Sequence, residues 1–441
     1  MPEEPAPAPA TATSVVTVPL TRSPSFWLLI RYALLFGVVL AFVSLAFLGV
    51  TKAGGKWFTL PSNPGWFDGS LWWVAVTAAA GVLVGVLRRA FRLPAKLPGT
   101  VKEMKDERVE PSHFPGGVAV SVVSLIGGAS LGPEAALGML GGGLGTWISE
   151  RRRLSEDVRA TNTLTGMSGA YGGLLAAPYV ATMLVFELAR PKAERAADAL
   201  VSGLVASSVS FAVLFPIAGA TFLGIYTLPA YTYEDWQLLA AVPLGLLGGA
   251  IALITVGVIG VVSKLMNPLA HRTVLLSTMG GISFGLVAVA LPLTLFTGSA
   301  QLKTVIADGA TLGAGLLIAV VVAKIVVFAI CEATGFIGGP FFPLLFIGGT
   351  AGVAVHELIP GVPMALAFTT LFAAVPASLV GAPFGLILLA ALTTQIGTLQ
   401  TAPVAIAVLT GYLAISGSGT LMALMRRGQK GPGVQPGARP D

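Results

Sequence analysis

Apolar residues run along this chain in long continuous stretches rather than in alternation or in one-sided stripes. They cover about residues 26–50, 70–91, 113–131, 133–148, 161–189, 197–225, 236–263, 273–297, 309–331, 340–358, 363–393 and 401–424. Runs of this length predict membrane-spanning helices, because roughly 20 apolar residues cross a bilayer core. Several are too long for one upright span and carry Gly or Pro near the middle. That predicts tilted, re-entrant or half-length helices, sheltered from lipid by the rest of the protein. A barrel is not expected, since its strands would alternate over about 10 residues. The predicted class is an all-α integral membrane protein. Polar sequence sits at the ends: residues 1–25 read as a disordered Pro/Ala/Thr-rich tail with no signal-peptide pattern, and 428–441 as a second short tail. The short tail leads us to expect no appended regulatory domain. Residues 26–229 and 230–427 read as two membrane halves.

Composition strengthens this reading. The 441 residues are 55% hydrophobic and only 10% charged, with mean hydropathy +0.85, where a soluble domain carries about 25% charged residues. The net charge of +6 fits the basic bias of cytoplasmic loops rather than nucleic-acid binding. Arg88, Arg89, Arg92, Lys96, Lys102, Lys105 and Arg108 cluster beside one span, mixed with Glu103, Asp106, Glu107 and Glu110. Such a cluster marks a cytoplasmic loop or is simply a solvated one. With one cysteine, Cys331, and His113, His271 and His356 far apart, no metal-ligand spacing exists. No cofactor is expected, and no nucleophile–base pair suggests an enzyme.

Two stretches copy each other at an offset of 207 residues: Gly128, Gly132, Pro133, Leu137, Gly141, Gly142 and Gly145 fall on Gly335, Gly339, Pro340, Leu344, Gly348, Gly349 and Gly352. Each places a Gly-Pro break before an apolar, small-residue helix. Paired breaks in two halves of a membrane protein predict a substrate site between them. A broken helix directs free N–H groups and the positive end of its dipole inward, which suits an anion. Plain helix packing, with Pro in the first turn, is the competing explanation.

The segment K-I-V-V-F-A-I-C-E-A-T-G-F-I-G-G-P-F-F-P from Lys324 resembles the CLC chloride channels and chloride/proton antiporters, matching at Lys324, Gly335, Gly338, Gly339, Phe341 and Pro343. The family's G-[KR]-E-G-P signature falls on Ala129-Ser130-Leu131-Gly132-Pro133, and Gly172–Glu187 resembles a third family stretch. The resemblance covers roughly residues 70–425. It implies two halves of inverted topology, a homodimer with one pore per subunit, and a dehydrated anion, chloride first, in the bilayer interior. Carried over, the anion faces the backbone N–H groups of Ser130, Leu131, Gly132, Phe341 and Phe342.

The departures are as informative. Leu131 stands where the antiporters carry the gating glutamate, and Leu188 where they carry the internal proton glutamate, so the resemblance implies passive, uncoupled anion passage. Glu134, in the first turn after Pro133, is either a dipole-favoured helix-end residue or a relocated gate that would restore proton coupling. Pro340 has no N–H to offer. Thr100 is the nearest candidate for a family serine, and Leu421 replaces a family tyrosine, with Tyr412 assigned to core packing. Lys324, within apolar sequence, either raises anion occupancy or pairs with Glu332 or with carbonyls. The leading expectation is a multi-pass cell-membrane anion pathway with both termini cytoplasmic. The alternatives are a proton-coupled antiporter and, from another class, a non-conducting assembly subunit or membrane-embedded enzyme.

Overall fold

The structure, a computed structural model, describes residues 24–58, 71–94, 97–219 and 224–417. Both tails lie outside these residues, apart from Pro24 and Ser25, and so does Leu421. The first half contains α1 (Pro24–Phe58), α2 (Trp72–Ala90), α3 (Thr100–Lys105), α4 (Phe114–Ile126), α5 (Glu134–Arg151), α6 (Glu156–Leu175), α7 (Pro178–Ala189) and α8 (Ala193–Ala218). The second contains α9 (Trp236–Met266), α10 (Thr273–Ala290), α11 (Ser299–Ala333), α12 (Phe341–Leu358), α13 (Met364–Val380), α14 (Pro383–Thr394) and α15 (Thr401–Gly417). Seven of these helices are long and apolar enough to cross a membrane. No strand forms among the described residues.

The long apolar runs break where the backbone requires it. The run over 161–189 divides into α6 and α7 at a left-handed turn on Ala176, and Pro178 opens the second helix. The run over 363–393 divides in the same way at Gly381 and Pro383. Proline in a first helical turn loses nothing, because that N–H has no intrahelical partner. A further kink at Gly313 bends α11.

The repeat is expressed in packing. α5 lies against α6, and α12 against α13. A side chain on Gly141 or Gly145 would strike the carbonyls of Gly166 or Asn162, and one on Gly348 or Gly352 those of Leu371 or Ala367. Small residues at equal positions therefore let each broken helix approach the next one backbone to backbone, the contact that drives helix association in lipid. α12 is buried over nearly its whole length, whereas α1, α8 and α9 present exposed apolar side chains outward.

Candidate functional site

The two Gly-Pro turns meet back to back. Gly128 (φ +85) and Gly335 (φ +90) both adopt the left-handed conformation that glycine takes without steric cost. Each reverses the chain after its preceding helix. The turns then pair: Gly132 N–H donates to the Gly339 carbonyl and Gly339 N–H to that of Gly132, both at 2.8 Å. Ser124 adds a third tie by accepting from Ile337 N–H at 3.1 Å. Pro133 and Pro340 then lead into α5 and α12.

A buried cation backs each turn from the opposite half. Lys324, on α11, is fully buried and donates to the carbonyls of Thr294, Leu295 and Phe296 at 2.9, 3.3 and 2.8 Å. Its ammonium lies 4.8 Å from the Phe346 ring centre, a cation–π distance. Phe296 N–H in turn donates to the Gly128 carbonyl at 2.9 Å. Arg88, on α2, donates to the Gly335 carbonyl at 3.1 Å and to that of Pro94 at 2.7 Å. Lys324 is thus bonded to carbonyls, not to Glu332, and its charge is spent holding the first turn in place.

Glu134 is the first residue of α5, and its carboxylate, while accepting from its own backbone N–H, is not confined to its own helix. It crosses to the other half, where Oε1 accepts from Phe341 N–H at 2.6 Å and Phe342 N–H bonds to it as well. A helix N-terminus with its dipole and free donors favours negative charge, and here the side chain supplies that charge. Glu134 is 3% exposed and its Oε2 has no partner. Tyr171, on α6, donates to the Glu134 backbone carbonyl at 2.9 Å. A cavity of about 20 Å³ adjoins them, lined by Glu134, Tyr171, Leu184, Phe341, Phe342 and Leu389 among others. That volume holds about one water.

The expected donors divide. Phe341 and Phe342 stand at the α12 N-terminus with their N–H groups on Glu134. The first-half donors need correction. Leu131 N–H goes to the Ala129 carbonyl, Gly132 N–H to Gly339, and Ser130 N–H to the Cys331 sulfur. All three groups are consumed in holding the paired turns. Leu131 is fully buried against Gly338, and Leu188 is 2% exposed but lies outside the cavity lining. Pro343 lies in the first turn of α12. Thr100, at the start of α3, puts its methyl beside Gly138 and the Tyr171 hydroxyl. Tyr412 is not a core residue: it is half-buried and its hydroxyl accepts from Arg190 at 3.2 Å.

Sequence reasoning missed a second crossing carboxylate. Glu187, on α7, accepts from Phe384 N–H at 2.9 Å and Gly385 N–H at 2.6 Å at the start of α14. The Ala-Pro pairs at 177–178 and 382–383 mark both helix starts and were the available signal. Tyr171, within a run of small residues, and Glu103, within a charged one, were missed as well. No group of three or more His, Cys, Asp or Glu able to hold a metal occurs among the described residues.

The family model described as "Voltage gated chloride channel" matches residues 80–416. This chain belongs to the CLC family. Among CLC-related sequences, the "Putative ion-transport protein YfeO" of Salmonella choleraesuis (strain SC-B67) is 30% identical over 356 residues, 78% of this chain and 84% of the relative. A slow cyanobacterial Cl-/H+ antiporter has a similar structure, with TM-score 0.77 at 18% identity, covering 92% of this chain and 99% of that one. A CLC-type fluoride/proton antiporter gives TM-score 0.74 at 17% identity, covering 89% and 96%. The CLC fold, with two inverted repeats of tilted and broken helices, is therefore that of this chain, and the protein is a multi-pass membrane protein of an anion-transporting family.

Proposed function

We propose that this CLC protein moves chloride or another small inorganic anion across the cell membrane, one path per subunit of a homodimer, with Glu134 as gate. The observation that carries this reading is the Glu134 carboxylate on the Phe341 N–H at 2.6 Å. A carboxylate there stands in for the transported anion: it uses the same donors and the same helix dipole. Protonation removes its charge and weakens that bond, so an anion can take the donors. The exchange of one negative group for another needs no fixed cation in the path.

Leu131 and Leu188 alone favour passive passage, since neither titrates. Glu134 reaches the α12 N-terminus from the next turn of chain, which favours proton-coupled exchange instead. Two of the similar structures are antiporters of a halide and protons. For the homodimer, Phe384, Leu388 and Leu392 form an exposed apolar row on one face of α14, and light scattering in detergent tests it. Both termini are assigned to the cytoplasm with the basic cluster, which cysteine labelling from either side tests.

The deciding experiment places the purified protein in liposomes, imposes a chloride gradient and records external pH. The expected result is uphill proton movement by the unmodified protein, lost in Glu134→Gln. Chloride flux with no proton movement, unchanged in Glu134→Gln, would restore the passive reading.

A further inference from the structure

Building on the reading of Glu134 as gate, we propose that Glu103 is the proton donor to Glu134, acting through the Tyr171 hydroxyl and the adjoining water-sized cavity. Glu103 lies on α3, outside the seven apolar spans. It is 6% exposed, and its Oε2 has no hydrogen-bond partner. Its neighbours Lys102, Lys105 and Asp106 are exposed. Just beyond them Arg108 pairs with Glu150 at 3.0 Å on a charged surface, and Arg195 pairs with the largely buried Glu107 at 2.7 Å. Glu103 is therefore a carboxyl turned inward directly beneath a wetted face.

From there the polar groups lead to the gate. Tyr171 interacts electrostatically with both Glu103 and Glu134. A side chain at Gly138 would lie 2.6 Å from the Tyr171 hydroxyl and 2.9 Å from the Thr100 methyl. The first turn of α3 thus abuts Tyr171, and Glu103 follows Thr100 by three residues on that short helix, hence on the same side. The cavity between Tyr171 and Glu134 holds about one water. Glu134 Oε2 and Glu103 Oε2, the two ends of the row, are both buried and unpartnered. Two such atoms in one neighbourhood are costly unless they serve a purpose.

The charged and titratable groups facing Glu103 are few. They are Asp106 from its own stretch and Tyr171 from α6, and Tyr171 is in turn acted on by Glu134 from α5. α7, which also packs on α3, carries Glu187, already engaged by α14. Burial first, and the Asp106 charge second, push the Glu103 carboxyl up to about 7. It therefore exchanges protons near neutrality, as a relay must. In the transfer, the Glu103 O–H bond breaks and its proton passes to the Tyr171 oxygen. Tyr171, its hydroxyl turned from the Glu134 backbone carbonyl toward the cavity, releases its own proton to the water, and the water releases one to Glu134 Oε2. Tyr171 and the water end neutral, Glu103 ends as a carboxylate, and it regains a proton from the charged face. This route bypasses Leu188.

The test compares the ratio of protons to chloride moved by reconstituted Glu103→Gln, Tyr171→Phe and Glu134→Gln. Glu103→Gln is expected to lose nearly all proton movement per chloride moved, and Tyr171→Phe to lower the ratio. An unchanged ratio in Glu103→Gln, with proton movement lost in Glu134→Gln, overturns this route while leaving the gate intact. Proton movement retained in Glu134→Gln overturns the gate reading itself. If Glu103→Gln is not recovered folded, Tyr171→Phe decides, since it removes one hydroxyl and no charge; an unchanged ratio there overturns the route.

Discussion

Gly339→Ala should pry the Glu134 carboxylate off the α12 N-terminus. A methyl at this position falls on Cγ, Cδ and Oε1 of Glu134. The backbone of Gly339 is not left-handed, so alanine is accommodated there, and the bonds to Gly132 use main-chain atoms only. Glu134 cannot follow by shifting its backbone, because Tyr171 holds its carbonyl and Pro133 precedes it. The carboxylate must leave Phe341 N–H, and a hydrogen bond to a charged group contributes about 1.5–3 kcal/mol. At about 1.4 kcal/mol per tenfold, the balance between carboxylate-occupied and anion-accessible donors shifts roughly 10–100-fold. Calorimetric chloride titration of the detergent-solubilised protein at neutral pH reads this as tighter apparent binding. Glu134→Ala, which leaves Gly339 untouched, should move affinity in the same direction. Unchanged chloride affinity in both folded variants would refute the claim that carboxylate and anion compete for one site.

Three further expectations follow from the same geometry. Lys324→Met abandons three buried carbonyls and should cost about 3–5 kcal/mol, read as a lower thermal midpoint; an unchanged midpoint would show that the ammonium does not hold the first turn. Glu103 gives stability a pH slope. Its folded carboxyl is raised from 4.5 to about 7, so the folded state binds the extra proton, and stability is greatest below 4.5 and falls as pH rises to about 7. At about 1.36 kcal/mol per pH unit, the loss is roughly 3 kcal/mol, and Glu103→Gln should flatten the midpoint between pH 5 and pH 8. Glu187→Ala leaves the Phe384 and Gly385 N–H groups uncapped and should cost about 1–2 kcal/mol, the usual range for a lost helix cap, in the same melting assay.

Much of the fold was legible because it rests on backbone chemistry. Gly128 and Gly335 are left-handed at matching positions, and Gly141/Gly145 and Gly348/Gly352 permit the same close approach. The junction at Ala176 was harder to read, because hydrophobicity continues unbroken through it while the helix does not. The site was legible in place but not in detail. That Gly132 N–H is spent on Gly339 depends on a partner 207 residues away, which no local pattern reveals. Glu134 reads locally as a cap for α5. However, side chains in a helix tilt toward its N-terminus, so a carboxylate on the first residue overhangs the turn and meets whatever faces it. Glu103 was hidden by its neighbours: Lys102, Lys105 and Asp106 are exposed, and only the short helix turns Glu103 and Met104 inward.

The pairing of Gly132 with Gly339 also bears on how the protein is made. Synthesis proceeds at about 5–20 residues per second, so the 207 residues between the partners separate their emergence by roughly 10–40 s. Throughout that interval the first half is in the bilayer with the Gly132 N–H and carbonyl unmatched, and each unsatisfied group costs several kcal/mol in hydrocarbon. The first half is therefore an unfinished product that needs water, the insertion machinery or a chaperone at its centre until the second half arrives. A ribosome stalled before Gly339 should leave a protease-sensitive fragment, and the two halves expressed as separate chains should accumulate only when both are present.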